Sequence, residues 1–128
     1  MNKIVASVRI HNALDTSKGL SCNAFVDINA RLMVLPATWK HRLGNLETTR
    51  TIELKTARQG TVKGEVCGPV RIQIEGFRPI CTEVSFVKMK PENGECEPLI
   101  GSIVLAQSQA GVDILGHRLI PIKHMDLK

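Results

Sequence analysis

Asp27 is the residue of this chain best placed to do chemistry. It ends an apolar run, Ala24-Phe25-Val26. A tight turn, Ile28-Asn29-Ala30-Arg31, follows, and a second apolar run, Leu32-Met33-Val34-Leu35-Pro36, begins at once. Such a turn holds a carboxylate at the mouth of a core, partly desolvated, where its pKa is easily shifted. The same spacing has a structural reading: an Asp at a strand end accepting bonds from nearby backbone N–H groups in an Asx-turn. Spacing alone leaves both open.

Other chemistry-bearing residues converge less well. Asp15-Thr16-Ser17 lacks a preceding apolar strand and a following apolar run, so it reads as a hairpin turn. Asp113 follows Val112 but precedes Ile114-Leu115-Gly116, which gives it a structural or surface role. The cysteines at 22, 67, 81 and 96 form no C-x-x-C pair, and Cys22 and Cys67 read as reduced thiols buried among strands. The histidines at 11, 41, 117 and 124 do not combine with them at zinc-site spacing, so neither a metal nor another cofactor is expected. There is no G-x-S-x-G elbow, and no His stands near a plausible nucleophile.

The elements that must position Asp27 are mostly strands. Residues 3–10 alternate apolar and polar, 12–19 carry turn residues, and 20–28 are extended again, which predicts a hairpin. Residues 31–35 form a short apolar run stopped by Pro36. Residues 38–43 read as a short helix ended by Gly44. Strands are predicted over 51–56 and 62–66, joined by a polar tip at Ala57-Arg58-Gln59-Gly60-Thr61. Gly68-Pro69 is expected to break the run before a period-two strand over 70–75. A strand over 80–87, an acidic surface loop over 91–98, a helix over 102–110 with Ser102 as N-cap, and a final hairpin over 112–121 complete the chain. Short strands with turns about every ten residues predict a mostly-β, single-domain closed barrel with one or two short helices, spanning residues 1–128.

Composition agrees. A chain of 128 residues suits one domain and can bury a core without disulfides or metal. One Trp, three Phe and no Tyr leave little for stacking bases. Seventeen Lys and Arg against twelve Asp and Glu give a formal charge of +5. These residues are scattered, so the charge reads as solubility and not as a nucleic-acid footprint. No segment approaches ~18 consecutive apolar residues, which excludes a spanning helix. Polar residues interrupt the first ten positions before a signal-peptide core forms, and a cytoplasmic location is the default expectation.

The Asp27 segment resembles the catalytic loop of the retropepsin-like (clan AA) aspartic proteases, apolar-apolar-Asp-Thr/Ser-Gly-Ala followed by an apolar strand. Phe25-Val26-Asp27, Ala30 and the strand to Pro36 match it. Trp39-Lys40-His41-Arg42-Leu43-Gly44 is similar to the family's short helix ending in Leu-Gly, and residues 60–66 resemble its flap hairpin. Pro98-Leu99-Ile100-Gly101 looks like its late apolar-apolar-Gly turn before a helix, and residues 111–121 like its closing hairpin. The likeness covers nearly the whole chain in the same order. It departs at two positions: Ile28 stands in place of Thr/Ser, and Asn29 in place of Gly.

The resemblance implies an aspartic endopeptidase that cuts a peptide or protein as a homodimer, with one Asp27 from each subunit. It implies a flap near 57–66 whose Arg58, Gln59 and Gly60 lie on the substrate. In such a dimer residues 1–10 and 118–122 are apolar enough to form an intersubunit sheet, and this pairing is expected too. Ile28 cannot make the hydroxyl hydrogen bonds that brace the family's dimer, and Asn29 adds bulk where glycine lets water approach the acid. Activity is thus expected to be weakened or lost. The alternative is a non-catalytic pseudoenzyme of the same fold that binds peptide segments or serves as a dimerisation scaffold.

Overall fold

Alternation of apolar and polar residues places Val8, Ile10 and Asn12 inward and Ser7 and Arg9 outward along the first strand, β1 (Val5–Asn12). The computed structural model describes residues 3–56, 60–89 and 97–122. β1 pairs antiparallel with β2 (Asp15–Val26), from Val5 opposite Phe25 to His11 opposite Gly19. The turn between them is only Ala13-Leu14, tighter than the stretch of turn residues suggested. The register then jumps to Asn12 opposite Asp15, so residues 16–18 bulge from β2. The local chemistry of Asp15 is real, since its carboxylate accepts from the Ser17 N–H and hydroxyl. It shapes that bulge and not the turn itself.

Seven strands pair into one sheet, six of which close into a ring. β3 (Met33–Pro36) runs parallel to β6 (Ile80–Val87) and antiparallel to β7 (Leu99–Ile100), which runs parallel to the end of β2. β4 (Glu47–Thr56) forms a hairpin with β5 (Gly60–Ile74), and β5 also pairs with β6. The far half of β5 returns to β1, with Val8 opposite Ile74 and Asn12 opposite Val70. The order β1-β2-β7-β3-β6-β5 therefore closes on itself, with β4 outside at the edge. A closed ring leaves few exposed strand edges. It also uses both edges of residues 8–12, so residues 8–10 of the segment expected to pair between subunits have no open edge to offer.

Gly68-Pro69 does not end a strand. β5 runs through it, and the register with β6 shifts between Cys67 and Val70. A bulge is where a sheet tolerates a proline, which has no N–H to offer the ladder. The Pro69 carbonyl accepts from Ala13 N–H at 3.0 Å.

Two short helices cap the ring. Residues Ala37–Leu43 form a 3-10 helix that ends at Gly44, whose φ of 69° a side chain would resist. Helix α1 (Ser102–Ser108) stops two residues short of the sequence expectation. Its N-cap is Gly101, so Ser102 caps nothing. The β8 (Ala110–Asp113) and β9 (Arg118–Pro121) hairpin follows as a separate two-stranded sheet. Ile114 and Leu115 belong to its turn and not to β8. Asp113 has a structural role there, accepting from Gly116 N–H and Arg118, and these bonds lower its carboxyl pKa. No helix among the described residues is long and apolar enough to cross a membrane.

Ile10, Met33, Leu35, Ile72, Phe86 and Ile100 fill the interior. Among the buried polar side chains of the described residues, Asn12 is the one bonded between elements distant in sequence. Asn12 is 2% exposed, donates to the carbonyls of Leu43 and Asn45, and accepts from Leu14 N–H. It ties the β1–β2 turn to the end of the 3-10 helix. Asn12→Ala would orphan those buried groups and is expected to cost about 2–3 kcal/mol. Urea unfolding should show this as a lower midpoint with an unchanged slope.

Candidate functional site

The backbone delivers Asp27 to the rim of the ring. Val26 N–H bonds to Ile4 O at 2.8 Å and Asp27 N–H to Ile100 O at 3.0 Å, so the residue leaves β2 while still anchored on both sides. The strand ends at Val26, two residues before the sequence suggested, because Ile28-Asn29 turn. Ala30 N–H closes the turn onto Asp27 O at 3.1 Å. Asn29 N–H donates to Asp27 Oδ1 at 3.0 Å, the Asx-turn bond that spacing allowed. Oδ2 accepts no hydrogen bond among the described residues, and the side chain is half-buried. The carboxylate is thus oriented through one oxygen and open through the other.

Beyond the turn, the chain is braced by the start of α1. Ser102 N–H donates to Ala30 O at 2.8 Å and Ile103 N–H to Arg31 O at 2.9 Å. These N–H groups belong to the first turn of the helix, where no intrahelical acceptor exists. Gly101 makes the approach possible, because a Cβ there would collide with the backbone of Arg31 and Leu32. Sequence reading noticed Gly101 only by resemblance. The physical signal was a glycine before a helix that has no capping side chain.

The remaining candidate residues divide. Ile28 is 66% exposed, Asn29 is exposed and Ala30 half-buried, all on the same turn as Asp27. Arg58 and Gln59 lie outside the described residues. Gly60 opens β5 opposite Thr56, with φ of 69° and open space where a Cβ would stand. Residues 60–63 pair with β4 alone, since the β5–β6 ladder begins at Gly64 opposite Val87. The end of this hairpin therefore projects beyond the ring. Cys67 is buried, Cys81 exposed, and partial burial pushes the Cys22 thiol up to about 11, which keeps it protonated and a poor nucleophile near neutral pH. Among the described residues, no three His, Cys, Asp or Glu side chains gather where they could hold a metal ion.

The fold is retropepsin-like. The EIAV protease, solved in complex with the inhibitor HBY-793, superposes with a TM-score of 0.59 over 82% of this chain and 86% of its own, at 21% sequence identity. No family model matches the chain. No curated protein matches it.

Two outcomes follow from this geometry. Gly101→Ala is expected to destabilise the protein by about 2–3 kcal/mol, because backbone and not a flexible side chain must yield; thermal unfolding would measure it. Amides of residues 61–63 are expected to exchange at least about tenfold faster than those of 70–72, which are laddered on both edges. Equal protection by hydrogen exchange would show that the hairpin end is not a separately opening unit.

Proposed function

We propose that two copies of the chain meet at the Asp27 turn about a two-fold axis and that the paired acids hydrolyse peptide bonds. The observation that carries this reading is the braced turn, with a carboxylate held through Oδ1 and free at Oδ2. One chain supplies one such acid, and a two-fold contact supplies the second. Two carboxylates brought close cannot both ionise comfortably and share one proton. The protonated one serves as general acid, and the other activates water.

A substrate segment would lie extended between the turn and the β4–β5 hairpin, adding backbone hydrogen bonds as an extra strand. Arg58, Gln59 and Gly60 would cover it. The apolar side chains exposed on α1 and the β8–β9 hairpin, among them Ile103, Val112 and Ile120, offer area for the subunit contact. Both outer edges of the β8–β9 sheet are also unpaired within the described residues, which leaves this hairpin available for intersubunit pairing.

Ile28 supports a second reading. An isoleucine 66% exposed at the turn has no hydroxyl to bridge a dimer, and Asn29 puts an exposed amide side chain on the same turn as the acid. These features favour a dimer that binds peptide segments without cutting them.

One series separates the readings. Light scattering is expected to find a dimer at high micromolar concentration. The paired change Ile28→Thr with Asn29→Gly is expected to raise cleavage of a mixed peptide library at pH 4–5 by tenfold or more, as positioning is restored. Both positions share one turn, so they are changed together. Asp27→Asn in that background should abolish the activity. A repaired variant that is folded and dimeric yet cuts nothing would sink the protease reading in favour of the binding one.

A further inference from the structure

The outward face of β1 and β5 gathers basic groups that are 60 residues apart in the chain. Arg9 and His11 point outward from β1, and Arg71 and Gln73 from β5. The register sets Arg9 opposite Gln73 and His11 opposite Arg71. Arg9 and Arg71 are therefore diagonal neighbours, about 7–8 Å apart. Together with Thr16 these four residues line an open depression of ≈ 270 Å³.

Three local features shape the depression. Gly19 lies beneath His11, and a Cβ there would strike the imidazole, so glycine lets the ring lie against the sheet. The bulge at residues 16–18 brings Thr16 to the rim. The Gln73 amide is held by Phe77 O at 3.0 Å. Neither Arg9 nor Arg71 forms an ion pair among the described residues, whereas Lys3, Lys40, Arg50 and Arg118 all do. Glu75 is the acid on the same face: it lies diagonal to Arg9 on the side away from Arg71, lines the neighbouring depression and forms no ion pair with Arg9 among the described residues.

The geometry points to a binding site here for a small phosphate monoester with a hydroxylated body. Two guanidiniums, an imidazole and a hydroxyl offer more donors than the two oxygens of a carboxylate can use, and they match the oxygens of a phosphate. The adjoining depression of ≈ 550 Å³ shares Arg9 and Gln73 and adds Ser7, Ser21, Asn23 and Glu75, which suit hydroxyl groups. No Phe, Tyr or Trp lines either depression, and the one ring present, His11, lies against the sheet over Gly19, which leaves little surface for stacking the bases of a nucleic-acid strand. The site excludes Asp27 and is independent of the activity proposed for it.

The test titrates the full chain with ribose 5-phosphate, inorganic phosphate, ribose and a short single-stranded oligonucleotide, followed by amide chemical shifts. Saturable shifts in residues 9–11, 16–21 and 71–73 are expected, with ribose 5-phosphate tighter than inorganic phosphate and ribose silent. Arg9→Gln and Arg71→Gln should each weaken binding at least tenfold. Lys88→Gln, an exposed cation elsewhere, should leave it unchanged. The spectra report at the same time that each variant is folded. The proposal fails if neither phosphate saturates, if Lys88→Gln weakens binding as much as Arg71→Gln, or if the oligonucleotide binds more tightly than the sugar phosphate.

Discussion

The approach of the Gly101 backbone to the backbone of Arg31 and Leu32 is the constraint on which the Asp27 turn depends. Two stretches of main chain can lie this close only where one of them has no side chain. Once there, the first N–H groups of α1 find acceptors in Ala30 and Arg31, and the turn gains a support that the strands alone do not provide. The helix solves its own problem by the same contact, since it has no capping side chain. Positioning of the acid and termination of the helix are thus one interaction seen from two sides.

Ring closure supplies the rest of the frame. β7 contributes only Leu99 and Ile100, yet it joins β2 to β3 and so completes the path between the acid-bearing strand and the β3–β6 side of the ring. Asn12 does comparable work at the opposite end of β1 by binding the β1–β2 turn to the 3-10 helix. The inward apolar pattern fixes the strand register, and the Asn12 bonds tie a turn and a helix end to that frame.

Much of this was legible in the residues. Alternation over residues 3–10 and 70–75 located β1 and the second half of β5, and the short helix ending at Gly44 was placed correctly because its glycine is a local signal. Where sequence reading erred, a long-range contact had overridden local chemistry. The turn residues near Asp15 were absorbed into a bulge because β1–β2 pairing continued past them. Gly68-Pro69 was carried through a strand because the ladder could shift register there. The clustering of Arg9, His11 and Arg71 could not be read at all, since it follows from the β1–β5 pairing that closes the ring.

The Asp27 turn also explains how a retropepsin-like frame can survive a change in its chemistry. Every bond that shapes the turn uses main-chain groups or the Asp27 carboxylate itself: Asn29 N–H to Oδ1, Ala30 N–H to Asp27 O, Ser102 N–H to Ala30 O. The side chains at 28 and 29 take no part, and both are exposed. Substitution there costs the single chain little, because nothing in it is lost. In the proposed dimer the consequence would fall where the second copy approaches the acid. The stability of the single chain therefore does not constrain these two positions, whereas the position of the carboxylate is fixed by bonds that neither side chain makes.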